Sequence, residues 1–214
     1  MKLLKVLAVL TLLFPALAAV PAHAQQPPNP QAQKDDQDAV MLVASPGLRD
    51  ADYRQTVVIA VPIENDQHLG IIVNRPTRRT LASLFPEHQP SKKVAEPVFF
   101  GGPMSRGAVV ALVHSGKEPG RGTINMTKDM YLAMTVNVVD RVIEETPNDA
   151  RYYVGYIVWR PGELRAEIDR KVWTVTNASP EIVFRKDPSG LWEELSRLSR
   201  MITASLTELE SVTP

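Results

Sequence analysis

The sequence predicts an α+β fold: a single domain over residues 39–203 with a mixed or largely antiparallel sheet and surrounding helices. Three observations predict it. Short apolar runs bounded by Gly, Pro, Asn or Asp crowd residues 39–115, a spacing dense enough for a sheet to curl toward a barrel. Two longer stretches, 127–145 and 187–209, carry apolar residues three or four apart, as amphipathic helices do. Strands and helices do not alternate regularly, which argues against a parallel βαβ sheet.

The elements follow in order. Ala39 to Ala44 is an apolar strand closed by Ser45-Pro46-Gly47. Thr56 to Val61 is continuously apolar, the pattern of a strand covered on both faces. Leu69 to Asn74 is a third strand, stopped by Arg75-Pro76. A short helix fits Thr80 to Phe85. Val98 to Phe100 runs into Gly101-Gly102-Pro103, and Ala108 to His114 is a further strand. Thr127 can cap a helix to Glu145 whose stripe is Met130, Met134, Val138 and Val142, with Pro147 beyond it. Tyr152 to Trp159, Lys171 to Thr176 and Glu181 to Phe184 read as strands. Pro161 to Arg170 reads as a helix with proline in its first turn. The last helix starts at Asp187-Pro188. Its stripe is Leu191, Leu195, Leu198, Ile202, Leu206 and Leu209, the early part predicted to dock and residues 204–214 to form a tail, helical or frayed.

The N-terminus sets the compartment expected. Lys2 and Lys5 precede an apolar run from Val6 to Val20, and Ala22-His23-Ala24 offers a small-x-small site before Gln25. That is the layout of a cleaved secretory signal. The run is shorter than the ~20 apolar residues of a spanning helix, so no membrane span is expected after cleavage. Residues 25–38 carry almost no apolar mass and read as a disordered tether. The expected location is periplasmic or secreted. With no cysteine, the chain has neither disulfides nor a lipid-modified cysteine.

Charge narrows the partners. The chain has 24 Lys+Arg and 24 Asp+Glu; loss of Lys2 and Lys5 leaves 22 against 24, a net charge of −2. Nucleic-acid binding by counterion release needs a basic surface, so no nucleic-acid partner is expected. Arg75, Arg78 and Arg79 form a local basic run that suits a solvated loop.

No catalytic kit, cofactor motif or metal-ligand spacing stands out. His68, His88 and His114 lie at no ligand spacing from one another or from an acidic residue. His114 ends a strand, where an exposed histidine needs no special role. Gly101-Gly102-Pro103 is too short for a phosphate loop and fits a tight turn. Asp50, Tyr53, Arg54 and Thr56 cluster before a buried strand; Arg54 can serve Asp50 or an incoming anion. Asn74 fits a turn before Arg75-Pro76. Trp159, Pro161 and Gly162 form a strand-to-helix junction whose free amides could hold an anion, with Glu163 competing for them. Glu163 and Glu167 share one helix face, the ordinary arrangement of a solvated surface.

Four segments carry a family resemblance. They are Met41-Leu42-Val43-Ala44-Ser45-Pro46-Gly47-Leu48-Arg49-Asp50 with Tyr53 to Val58; Gly70-Ile71-Ile72-Val73-Asn74-Arg75-Pro76; Phe100-Gly101-Gly102-Pro103 with Val113-His114; and Gly155-Tyr156-Ile157-Val158-Trp159 with Pro161-Gly162-Glu163-Leu164. In this order the chain resembles the AlgH/YqgE family of bacterial proteins. The resemblance implies a bifurcated, partly barrel-like sheet and no particular reaction; some members are described as transcriptional regulators. The chain departs from the family in its leader, since members are normally cytoplasmic. It departs again at Val158, Arg160, Glu163 and Arg165, where the family pattern has Gly, Gly, Gln and Glu.

Three functions are compatible with these residues. The first is a non-enzymatic binding or accessory protein of the cell envelope, presenting a groove near Tyr53, Arg54, Trp159 and Arg160 to a protein or small ligand. The second is a hydrolase using His114 or the Asp50/Arg54 loop. The third is the regulatory role implied by the resemblance.

Overall fold

The computed structural model describes residues 39–212, with side chains through 202; the expected signal (1–24) and tether (25–38) lie outside the described residues. Ten strands share one sheet: β1 (Val40–Ala44), β2 (Val57–Ile63), β3 (Gln67–Ile72), β4 (Pro76–Thr80), β5 (Pro97–Phe100), β6 (Met104–His114), β7 (Thr123–Thr127), β8 (Met130–Ala133), β9 (Ala150–Trp159) and β10 (Trp173–Asn177). The main path is β10-β1-β2-β3-β9-β6-β8-β7. Five α-helices accompany it: α1 (Leu81–Leu84), α2 (Val136–Glu145), α3 (Glu163–Asp169), α4 (Pro180–Val183) and α5 (Leu191–Val212). No described helix is long and apolar enough to cross a membrane.

The sheet forks at β9. One edge of β9 pairs with β6 from Met104↔Tyr156 to Val113↔Ala150. Its other edge pairs first with β5, in parallel at Phe99↔Tyr153 and Phe100↔Val154. It then pairs antiparallel with β3, at Gly70↔Ile157 through His68↔Trp159. Gly155, at φ +73°, sits between the two partners. Gly101 bridges the fork: its amide donates to the Val154 carbonyl at 2.9 Å, and its own carbonyl accepts the Ile72 amide at 2.9 Å. A Cβ on Gly101 or Gly102 would lie 2.4 Å from the backbone of Gly155 or Tyr156. These two glycines are where backbone meets backbone.

Three apolar clusters hold the layers. Met41, Val43, Ile59 and Ile71 face a core closed by Val183, Leu191 and Leu195. The opposite face, Leu42, Val58 and Ile72, packs with Trp159, Leu164 and Trp173. Beyond the fork, Ala111, Val113 and Tyr152 are covered by Val138, Val139, Val142 and Ile143 of α2. Because both faces of β1–β3 are covered, those strands read as continuous apolar runs. Docking of α5 ends early: Leu191 and Leu195 are buried, but Leu198 and Ile202 are 44% and 62% exposed.

Several expected elements are corrected. The helix predicted from Thr127 begins instead after Thr135; the end of β7 and all of β8, paired as a hairpin, occupy its first half. Met130 and Leu132 are both buried while Tyr131 is half-buried between them, so pairing with β6 overrides a fourfold spacing that also fits a helix. Glu181 to Phe184 is not a strand: Pro180 opens a helical turn after Ser179. Lys171, at φ +60°, still belongs to a turn, and the strand starts at Trp173. Pro76–Thr80 is a strand that its polar sequence conceals; its partner among the described residues is β5.

Candidate functional site

The loop before β2 is fastened from outside its own sequence. Arg75 Nη1 donates to the Asp52 carbonyl at 2.6 Å, and Nη2 donates to the carbonyls of Arg54 (2.8 Å) and Ala51 (3.3 Å). Asn74 Oδ1 accepts the Val57 amide at 2.9 Å and its Nδ2 donates to the Gln55 carbonyl at 3.0 Å. The clamp expected of Arg54 and Asp50 is thus supplied by Arg75. No ion pair joins Asp50 and Arg54 among the described residues; their link is the Arg54 amide on the Asp50 carbonyl, at 2.8 Å. Arg75→Met is therefore expected to cost about 1–3 kcal/mol in urea unfolding, because it strands three carbonyls, and Arg54→Met under about 0.5 kcal/mol.

This fastened loop forms one wall of a cleft of about 370 Å³ lined by Asp50, Tyr53, Trp159, Glu163, Glu167, Arg170 and Trp173, among others. Each element delivers its side chains for a local reason. Gly162, at φ +75°, turns the chain from β9 into α3. Glu163 Oε2 then accepts the Arg160 amide at 2.9 Å, closing the first turn. One turn later, Glu167 Oε2 accepts two indole N–H groups, from Trp159 at 2.9 Å and Trp173 at 2.7 Å. The register Ala44↔Trp173 sets the second indole beside the first. The rings of Trp159 and Trp173 meet edge to face at 6.4 Å, and Tyr53 meets Trp173 the same way at 6.2 Å.

The field in the cleft is negative. Three carboxylates, Asp50, Glu163 and Glu167, face one guanidinium, Arg170, along its walls. The Tyr53 hydroxyl reports it: burial first, then the charges of Asp50, Asp52, Glu167 and Glu163, push its pKa above the ordinary phenol value. An anion at the start of α3 would meet this field and find Glu163 already on the available amide.

The other sequence candidates disperse. Arg54 lines a separate cleft with Arg49 and Trp192. Arg160 is exposed, and its amide serves Glu163. Asn74 belongs to the loop clamp, and Gly101 and Gly102 to the fork. His114 is exposed, stacked on Phe184 at 5.3 Å, with Nε2 3.6 Å from Asp129. The neighbouring Ser115 hydroxyl donates to the Lys117 carbonyl at 2.7 Å. Sequence reasoning missed Trp173, Arg170 and the role of Glu167. The available signal was the Glu167-to-Trp173 interval, two large polar-tipped side chains flanking a turn after Trp159.

Comparison with known proteins matches residues 41–203 to the family described as DUF179, AlgH-like. The chain belongs to the AlgH-like family. A UPF0301 protein of Ruegeria pomeroyi is 30% identical over 166 residues, covering 74% of this chain and 89% of that protein. A UPF0301 protein of Thermobifida fusca is 31% identical over 168 residues, covering 73% and 84%. Among solved structures, the AlgH protein of Pseudomonas aeruginosa has a TM-score of 0.60 at 21% identity, covering 82% of this chain and 93% of its own. A Corynebacterium diphtheriae protein scores 0.61 at 21% identity, covering 75% and 86%. At that identity the likeness is one of fold, and the AlgH-like fold is an α+β half-barrel.

Proposed function

We propose that this AlgH-like protein is an exported binding protein of the cell envelope whose acidic aromatic cleft receives an organic cation. The ligand class is an ammonium or guanidinium head group. The carrying observation is the convergence of Asp50, Glu163 and Glu167 on a cleft walled by Tyr53, Trp159 and Trp173. Carboxylates and aromatic rings together attract such cations, and the predominance of negative charge in the cleft disfavours anions. Glu167 is held by both indoles through one oxygen, leaving the other for a ligand.

Titration with tetramethylammonium and with arginine amide tests this reading. Binding is expected to change tryptophan fluorescence, since two of the three tryptophans line the cleft. Glu163→Gln combined with Glu167→Gln keeps acceptors for the amide and the indoles but removes two charges; affinity should fall roughly tenfold or more, that is by ~1.4 kcal/mol or more. Unchanged affinity in that variant, or binding of acetate in place of the cations, would overturn the proposal. The leader supports the envelope location. Protein recovered from its native cell should begin at Gln25 in the envelope fraction; an intact Met1 in the cytoplasm would refute export.

A further inference from the structure

We propose that His88, Asp140 and Glu144 form a binding site for one divalent transition-metal ion of the zinc class. His88 precedes the 3-10 turn Gln89–Lys93. Asp140 and Glu144 stand one turn apart on α2, so their carboxylates leave the same helix face. The fold brings these separate segments together, which explains why the linear sequence shows no ligand spacing. One ligand atom from each residue lies within 4.8 Å of the others. His88 Nε2 is 3.4 Å from Asp140 Oδ1, close to the ~3.3 Å edge of a tetrahedron with bonds of about 2.0–2.1 Å. Asp140 and Glu144 are exposed and can rotate through the remaining distance.

The imidazole is already oriented for the task. Its Nδ1 lies 2.7 Å from the hydroxyl of Ser91, a fully buried residue. A histidine that donates its Nδ1–H to such an acceptor presents a lone pair on Nε2, the arrangement found behind metal-bound imidazoles. The Nε2 atom is itself buried, and among the described residues it has no hydrogen-bond partner. At 3.4 Å the Asp140 contact is a charge proximity longer than a good N–H···O bond. With that tautomer the Nε2 lone pair faces the Asp140 and Glu144 carboxylates, and a cation satisfies all three groups together. One imidazole with two carboxylates suits zinc and its neighbours; it offers too few oxygens for calcium, and nitrogen is a poor ligand for magnesium. Bound metal would tie the loop containing His88 to α2 and leave a coordination position for water.

Calorimetric titration of the tag-free full chain with zinc chloride is the test, with magnesium and calcium chlorides in parallel. One equivalent of zinc should bind, with little heat from the other two. His88→Gln, and Asp140→Asn with Glu144→Gln, should each weaken binding at least tenfold. Ser91→Ala keeps every ligand but frees the ring, and should weaken binding by about 10–100-fold, as loss of an orienting partner does. Zinc should also shift the His88 Nε2 resonance in the wild-type protein, and circular dichroism should confirm that each variant is folded. Absence of zinc binding, equal affinity in the ligand variants, or a shift confined to His23, His68 or His114 would overturn the site.

Discussion

Arg151→Met is expected to destabilise the protein by about 2–4 kcal/mol, the cost of leaving the Val183 and Arg185 carbonyls and a half-buried carboxylate without their donor. Arg151 is 1% exposed and has no water to fall back on. Its Nε and Nη2 bind the two oxygens of Glu96 at 2.7 and 3.0 Å. Nη1 reaches the Val183 carbonyl at 2.6 Å and Nη2 also the Arg185 carbonyl at 2.9 Å. The guanidinium carbon lies 4.5 Å from the centre of the Phe99 ring. Burial alone would depress the guanidinium pKa, but the hydrogen bond to Glu96 and the charge of Glu96 outweigh it and raise the pKa. The group is therefore charged at any pH at which the protein folds. It joins β9, the segment before β5 and the helical turn α4, which otherwise lie apart in the chain. Since a domain's whole stability is ~5–15 kcal/mol, the loss should show as a large fall in the urea midpoint. Arg151→Lys should not restore it, because an ammonium cannot reach acceptors on three sides of a planar fork. An unfolding free energy within about 1 kcal/mol of the wild-type value would show that the network is dispensable.

Nothing in the sequence marks Arg151 as buried, and the reason applies to other misread residues. Its partners Glu96, Val183 and Arg185 come from remote segments, and a lone arginine in Arg151-Tyr152-Tyr153 looks like the polar member of an alternating strand. Arg75 and Arg54 were exchanged for the same cause: both flank the loop, and only the pairing of β2 with β3 decides which guanidinium crosses it. What was legible was local. Val57 to Val61 and Leu69 to Val73 are covered on both faces, so their apolar runs leave no competing period. The fourfold spacing from Met130 to Val142 did compete, and the hairpin took half of it. The cleft was legible on the side of Asp50, Tyr53 and Trp159, which lie near turn signals. Trp173 was not, because its place beside Trp159 depends on β10 joining the sheet next to β1.

Gly155→Ala is expected to cost about 2–5 kcal/mol, the sum of a left-handed backbone penalty and an overpacking penalty. The first part follows from φ +73°, a conformation that a Cβ disfavours. The second follows from the fork, where the added Cβ would lie 2.2 Å from the Gly102 carbonyl oxygen and 2.7 Å from that of Met104. Both obstacles are backbone, so no side chain can rotate out of the way. Relief requires Gly101 and Gly102 to withdraw, and with them the bridge from β3 to β9. Gly162 separates the two parts. It has nearly the same φ, +75°, but a Cβ there would meet nothing within 4 Å. Gly162→Ala should therefore carry the backbone penalty alone, ~1–2 kcal/mol. The difference between the two variants in urea unfolding measures the contact at the fork. Equal losses would mean that β5 and β3 do not need glycine to share an edge of β9, and that the split sheet is held by its flanking strands instead.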